Sequence, residues 1–282
     1  MITDLRRTLP RAAWWAVCLC VSLIVLYPLY TMLSQSLKSP AEATDNPPTL
    51  YPHSLSTDNY RSLGHTGQVG IWQHIANSVL VSTGATLLTV VLAALAGYGF
   101  AKLRFRGSGV LFFVILATFM IPFQAIITPL FSILQSLGLS NTLFGLTLVY
   151  TTFQLPFGIF LMRNSFAALP ASIEEAALID GCGFLRAMTR VLLPVAIPGL
   201  ISTALFTFFT CWNEFFAALI LITDEAKFTL PVTLTVLASN QLGSLNWGIM
   251  QAGVAITALP CIALYLLLQR YYVAGLIAGA VK

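Results

Sequence analysis

Six stretches of the chain are apolar almost without interruption: about 13–33, 76–98, 109–131, 142–162, 197–221 and 248–268. A helix rises about 1.5 Å per residue, so about 20 residues cross a hydrocarbon core roughly 30 Å thick. No lysine or arginine interrupts the middle of any stretch. Each is therefore predicted to be a membrane-spanning helix. Residues 131–141 between the third and fourth stretches are enough for a tight hairpin. Residues 35–72 are rich in Pro, Ser, Thr and Asn and read as loop with short helices, and 223–247 form a second long connection. Pro122 and Pro129 fall in the third stretch, Pro156 in the fourth and Pro260 in the sixth, where each removes an amide donor and is expected to interrupt or kink its helix.

Composition agrees with that pattern. The 282 residues are 57% hydrophobic and only 9% charged, whereas soluble domains carry roughly a quarter charged residues. A soluble domain is excluded. With the N-terminus inside, the inner segments hold Arg6, Arg7, Arg11, Lys102, Arg104, Arg106, Arg163, Arg186, Arg190, Arg270 and Lys282, eleven cations against three (Lys38, Arg61, Lys227) outside. Cationic residues favour the cytoplasmic side, so both termini are predicted to be cytoplasmic. The run from Ala12 to Leu33 reads as a retained first span, since it is longer than a signal-peptide core. The net charge of +4 forms no basic arm, so no nucleic-acid partner is expected. His53, His65 and His74 fit no metal spacing and read as surface histidines. None of the five cysteines lies in an external loop, so no disulfide is expected.

The cytoplasmic connection 163–195 carries the densest information. Pro170 ends the fourth span. Ser172 followed by Glu175 reads as a capping box opening a helix over Ile173–Asp180, with Glu174 and Glu175 in its first turn. Gly181 and Gly183 then permit a sharp turn, and a second short helix covers Phe184–Val191 before Leu193-Pro194. The small apolar surface of Ala176, Ala177 and Ile179, bordered by acids, suits either a re-entry loop or a docking face.

Glu175-Ala176-Ala177, three residues, Gly181, nine residues, then Val191-x-Leu193-Pro194 resembles the EAA loop of binding-protein-dependent ABC importer permeases. Leu169-Pro170 and Ile179-Asp180-Gly181 are similar to the carbohydrate-uptake (MalG-like) family in particular. Trp212-Asn213-Glu214-Phe215 and the closing run Gln269–Lys282 resemble that family's membrane and C-terminal motifs. The resemblance covers nearly the whole chain. It implies an all-α integral membrane protein with six transmembrane helices, the type I ABC importer permease fold, in a bacterial or archaeal cytoplasmic membrane. It divides the chain into 1–72 (N-terminal tail, first helix and external segment), 73–270 (five-helix core with the coupling loop 163–195) and 271–282 (C-terminal tail).

The same resemblance implies that Glu174, Glu175, Ala176, Ala177, Asp180, Gly181, Gly183, Leu193 and Pro194 contact and couple to an ATPase. Gly275, Gly279, Ala280 and Lys282 form a second contact at the C-terminal tail. The segment 223–247, with Asp224, Glu225, Asn240 and Gln241, corresponds to the loop that probes the binding protein's cleft. Expected partners are a second permease subunit, forming a heterodimer, two ATPase subunits, an extracytoplasmic solute-binding protein, a sugar-like solute and membrane lipid. No G-x-x-x-x-G-K-[S/T] run cradles phosphate in this chain, so ATP and Mg are expected on the partner, with no cofactor or metal here and no catalysis by the chain itself.

Glu214 is the only acid deep in a predicted span, where a charge is costly unless paired or hydrated. It sits near the outer end of its helix. Gln124, Gln154, Asn213 and Glu214 are the polar candidates for a translocation path. A permease of another importer class (amino acid, peptide or glycerol-phosphate) is the alternative, and an ion-coupled secondary transporter is the remoter one.

Overall fold

The computed structural model describes residues 11–45, 47, 49–65, 69–239 and 247–280, with side chains described from Ala13 to Gln269 within those ranges. Among the described residues the regular structure is helical. The helices are α1 (Arg11–Ser36), α2 (Asp58–Gly64), α3 (Ile71–Lys102), α4 (Ser108–Thr118), α5 (Phe123–Ser136), α6 (Leu143–Ala167), α7 (Ala171–Ile179), α8 (Phe184–Ala187), α9 (Ile197–Trp212), α10 (Phe216–Leu221), α11 (Leu230–Ala238) and α12 (Trp247–Ala280). A π-helical turn at Met188–Leu192 and a further turn at Leu193–Val195 join α8 to α9.

Four unbroken segments are long and apolar enough to cross a membrane: Ala13–Ser36, Ile71–Lys102, Leu143–Ala167 and Trp247–Gln269. Two bent pairs, Ser108–Thr118 with Phe123–Ser136 at 96° and Phe184–Val195 with Ile197–Trp212 at 80°, are each a broken span or a re-entrant loop, giving four crossings among the described residues, or six where each pair counts as one. The expectation of a single helix over 109–131 is thus corrected. Ile121 precedes a proline, which disfavours the helical conformation, and Pro122 itself is extended at ψ 130°. The stretch 197–221 is likewise two helices, parted at Asn213–Phe215. Pro129, Pro156 and Pro260, by contrast, lie inside helices that continue through them, so none of the three interrupts its helix. Proline's fixed φ is itself helical, and only one backbone bond is forfeited.

The chain folds into two compact units, Met1–Ile71 with Leu234–Leu259 and Trp72–Thr233 with Pro260–Lys282. In the larger unit, Ala93, Ala94 and Tyr98 of α3, Ile159, Met162 and Phe166 of α6, and Met188, Leu192 and Ala196 at the foot of α9 form one buried cluster. Small residues bring the helices together, as expected where packing rather than water drives association. A Cβ on Gly97 would lie 2.6 Å from the Met162 Cβ and 2.8 Å from the Arg163 amide nitrogen, so α3 and α6 touch nearly backbone to backbone. His74, near the start of α3, is only 1% exposed and its Nδ1 lies 3.2 Å from the Phe228 carbonyl, so it is not the surface histidine expected. Asn77 donates to the Ala226 and Phe228 carbonyls and Ser78 accepts from the Leu230 amide, which fastens the 222–230 segment to α3.

In the smaller unit the segment after α1 is folded rather than loose. Lys38 is fully buried, its ammonium donating to the Thr49 carbonyl at 2.6 Å. The buried Asn59 amide donates to the Ser36 and Lys38 carbonyls. Glu42 Oε1 accepts from the His53 amide (3.0 Å) and the Thr49 hydroxyl (3.1 Å) and lies 2.9 Å from His53 Nδ1. α1 itself leaves apolar side chains exposed along its length, Ile24 at 72% among them. A helix apolar all round belongs in lipid or against another chain.

Two outcomes follow from these contacts. Gly97→Ala drives a methyl into the α6 backbone, whereas Gly99→Ala opens onto free space. Overpacking costs about 1–3 kcal/mol, so the thermal midpoint in detergent falls for the first substitution and holds or rises for the second. The Glu42 carboxyl is held below its ordinary value of 4.5, chiefly by the His53 amide, with the His53 ring and Thr49 hydroxyl adding to it. A carboxyl whose pKa falls on folding stabilises above its unfolded value and ceases to as pH drops through the folded one. Amide exchange across residues 42–53, corrected for intrinsic rate, should accelerate as pH falls below 4.5. In Glu42→Gln that acceleration should vanish.

Candidate functional site

Two groups of residues stand out, one on the connection after α6 and one within the helices. Pro170 (φ −54°, ψ 137°) supplies the extended residue from which α7 starts, so the helix begins at Ala171 with no side-chain cap. The expected Ser172–Glu175 capping box is therefore absent. Ile173 and Ala177, four residues apart on one face, turn inward; Ile173 packs on the buried cluster and Ala177 is 6% exposed. Ser172, Glu175, Ala176 and Ile179 form the opposite, exposed stripe. Ile179 is the most exposed of the large apolar residues there, at 85%.

The end of α7 explains the spacing of the motif. Gly181 is left-handed at φ +80°. The Gly181 amide donates to the Leu178 carbonyl (3.1 Å) and the Cys182 amide to the Ala177 carbonyl (3.0 Å). This is a Schellman cap, which places glycine four residues after the last inward alanine. Gly183 is ordinary extended backbone at φ −71°, so it is not the second turning glycine expected. The second short helix ends at Ala187 and gives way to the π turn, instead of running on to Val191.

Side chains of α3 anchor this loop. The Tyr98 hydroxyl donates to Glu174 Oε1 at 2.7 Å, and the Tyr98 ring meets Phe166 edge-on at 5.7 Å. Lys102 Nζ donates to the Leu169 carbonyl at 2.9 Å. Glu174 thus points back into the protein, while Glu175 and Asp180 are exposed. Leu193 packs against the cluster and Pro194 is exposed. A groove of about 740 Å³ runs beside α7, lined by Lys102, Arg104, Arg106, Glu174, Glu175 and Phe184 among others. Backbone through Ala280 continues α12 without a break. The side chains of Gly275, Gly279 and Ala280 lie outside the described residues, as do Lys282, Asn240 and Gln241.

Within the helices, Gln124, Gln154 and Glu214 line one cavity of about 200 Å³, with Tyr150 beside them. Asn213 stands apart, its amide donating to the Phe209 carbonyl one turn back at 2.8 Å. The Glu214 carboxylate sits at the break between α9 and α10 and accepts from the Ala217 (3.0 Å) and Ala218 (3.3 Å) amides, which a helix start leaves without partners. Tyr150 donates to its Oε2 at 2.8 Å. Gln154 Oε1 is buried with no hydrogen-bond partner among the described residues. Phe123 completes the wall, meeting Phe153 at 4.5 Å and Phe216 at 6.0 Å, both edge-on. The sequence reading gave Tyr98, Lys102 and Tyr150 no role in either site. Only Tyr150 carried a signal, lying four residues before Gln154 on the same helical face.

A multi-pass helical membrane protein with a rigidly anchored loop at one end and a polar cavity among its helices has the makings of a transport subunit. The chain belongs to the binding-protein-dependent transport system inner membrane component family, whose profile matches residues 64–277. It is 36% identical over 261 residues to the diacetylchitobiose uptake system permease protein NgcG of Streptomyces coelicolor, covering 93% of this chain and 84% of that one. It is 35% identical over 275 residues to the trehalose transport system permease protein SugB of Mycobacterium tuberculosis, covering 96% and 98%. A chain in the crystal structure of a bacterial ABC transporter that imports the acidic polysaccharide alginate superposes with a TM-score of 0.78 at 27% identity, covering 93% of this chain and 96% of that one. The expected importer-permease fold is borne out.

The cap at Gly181 generates a direct test. A left-handed alanine costs about 1–2 kcal/mol, so Gly181→Ala should raise amide exchange at Gly181 and Cys182 by roughly 5–30-fold. Gly183→Ala, extended and unobstructed, should leave it unchanged.

Proposed function

We propose that this chain is a permease subunit of an ATP-driven sugar importer in a bacterial or archaeal cytoplasmic membrane. It pairs with a different permease, two ATPase subunits and an extracytoplasmic solute-binding protein. ATP and Mg reside on the partner ATPase, and this chain converts nucleotide-driven movement into solute passage. The uptake systems named for diacetylchitobiose and trehalose among its relatives support a di- or oligosaccharide as solute.

The observation that carries this reading is the exposed stripe of α7. Ile179 is 85% exposed on the loop that the charge bias assigns to the cytoplasm, away from the hydrocarbon. Glu175, Ala176 and Asp180 surround it, so an apolar centre with an acidic rim faces outward. That is the chemistry of a docking face for a partner with an apolar groove and basic margins. Its underside is held by the Tyr98–Glu174 and Lys102–Leu169 bonds, which makes α7 a lever fixed to the core rather than a loose tether. In this reading Gly275, Gly279, Ala280 and Lys282 form the second ATPase contact.

Purification from native membranes through an N-terminal tag should recover an ATPase, a second multi-span permease and a binding protein. Ile179→Asp puts a charge at the centre of the docking face and should reduce ATPase recovery at least tenfold, a loss of about 1.4 kcal/mol. Recovery of the intact chain alone from wild-type membranes overturns the reading.

A further inference from the structure

We infer that the cavity bounded by Gln124, Tyr150, Gln154 and Glu214 is a solute subsite belonging to this subunit, built for one ring of a neutral, hydroxyl-rich sugar. The inference rests on the sugar-importer reading above and adds a contact site and a selection rule to it.

Three observations converge on this cavity. The first is an acceptor without a donor. Gln154 Oε1 is buried and unpartnered, whereas Glu214 beside it accepts from two backbone amides and from Tyr150. Leaving a buried polar atom unmet costs about 1–3 kcal/mol, and a solute hydroxyl removes that penalty while it occupies the site. The second is the wall. Phe123, Phe153 and Phe216 meet around the cavity in edge-on pairs, offering ring surfaces to the apolar C–H faces of a pyranose while the amides take its hydroxyls. Apolar walls with few convergent polar groups are the usual build of a small-molecule site.

The third is charge. Among the residues lining the cavity Glu214 is acidic and none is basic. An acidic sugar or a sugar phosphate would bring a second negative charge to the Glu214 edge with no cation to balance it, and in a low-dielectric setting that repulsion is strong. A neutral ring meets no such barrier. The volume, about 200 Å³, suits one ring rather than two, so an oligosaccharide would engage it one unit at a time.

The experiment uses cells deleted for this gene, with the partner genes intact, complemented by wild type or by variants. Uptake of radiolabelled trehalose and N,N′-diacetylchitobiose is measured beside membrane abundance of the complex and its ATP hydrolysis stimulated by binding protein. Gln154→Met keeps the side chain's length and removes the acceptor. It should lower uptake of the transported sugar about tenfold, while abundance and stimulated hydrolysis stay within about twofold of wild type. Gln124→Met is the second variant, judged by the same readouts where Gln154→Met fails to assemble. Wild-type uptake with an assembled variant overturns the subsite and leaves the importer reading standing. Failure of the wild-type gene to restore uptake of these two sugars or of any other in a panel of neutral di- and oligosaccharides overturns the sugar reading, and the subsite falls with it.

Discussion

The near-contact of the α3 and α6 backbones at Gly97 underlies the arrangement of the cytoplasmic loop. Without a side chain at that position, the next residue, Tyr98, is brought against Phe166 near the end of α6, within reach of Glu174 on α7. One turn on, Lys102 reaches the carbonyl of Leu169, just past the end of α6. Two hydrogen bonds and one aromatic contact therefore add to the packing of Ile173, Ala177 and Leu193 in fixing this loop. Those two bonds and the ring contact depend on how closely two helices can approach. In hydrocarbon, where water gives no driving force between apolar faces, such close approach is how helices gain contact. The same approach that stabilises the bundle thus orients the exposed stripe of α7.

The cavity follows a second constraint, that backbone groups at membrane depth find partners within the protein. The break between α9 and α10 exposes amides at the start of α10, and Glu214 accepts from two of them. A carboxylate here is also favoured by the positive end of the helix dipole. Glu214 is therefore first a structural group that makes a broken helix tolerable, and its remaining capacity orients Tyr150. Gln154 has no comparable structural duty. That contrast separates the two residues, although composition alone made the acid the more conspicuous of them.

Much of the fold was legible because membrane spans are a length-and-hydropathy signal: four of the six stretches hold unbroken helices long enough to span, and the other two, 109–131 and 197–221, each hold a pair of helices. The bends were not legible. Pro122 stops a helix and Pro156 does not, because the outcome depends on whether neighbouring groups can take over the lost bond. The motif on α7 was legible as spacing, and the Schellman cap supplies its cause at Gly181. The capping box was misread because Pro170 already provides an extended start and burial of Ile173 and Ala177 sets the helix phase. Gly183 looked equivalent to Gly181, yet only φ distinguishes a turning glycine from an extended one. Tyr98 and Lys102 were out of reach, lying more than 60 residues from the loop atoms they hold. Three of the four polar candidates converge on one cavity, since lone polar residues in apolar helices gather where lipid is absent. Asn213 is the exception because it bonds to its own helix.

Loop and cavity are also joined mechanically. α6 carries Tyr150 and Gln154 in the cavity wall and Phe166 in the cluster under α7. Twelve residues separate Gln154 from Phe166, about 18 Å along one helix. α9 runs beside it, its 16 residues spanning about 24 Å from Ile197 to the break at Asn213, with the π turn at Met188–Leu192 shortly before its start. Both ends of α9 are irregular while its interior is regular. A movement imposed on α7 would therefore bend the chain at those ends before it deformed the rod between them. The Glu214 carboxylate, seated at the far end, would move with whatever the loop is made to do. Such a linkage is rigid where displacement is carried and irregular where one end is free to turn.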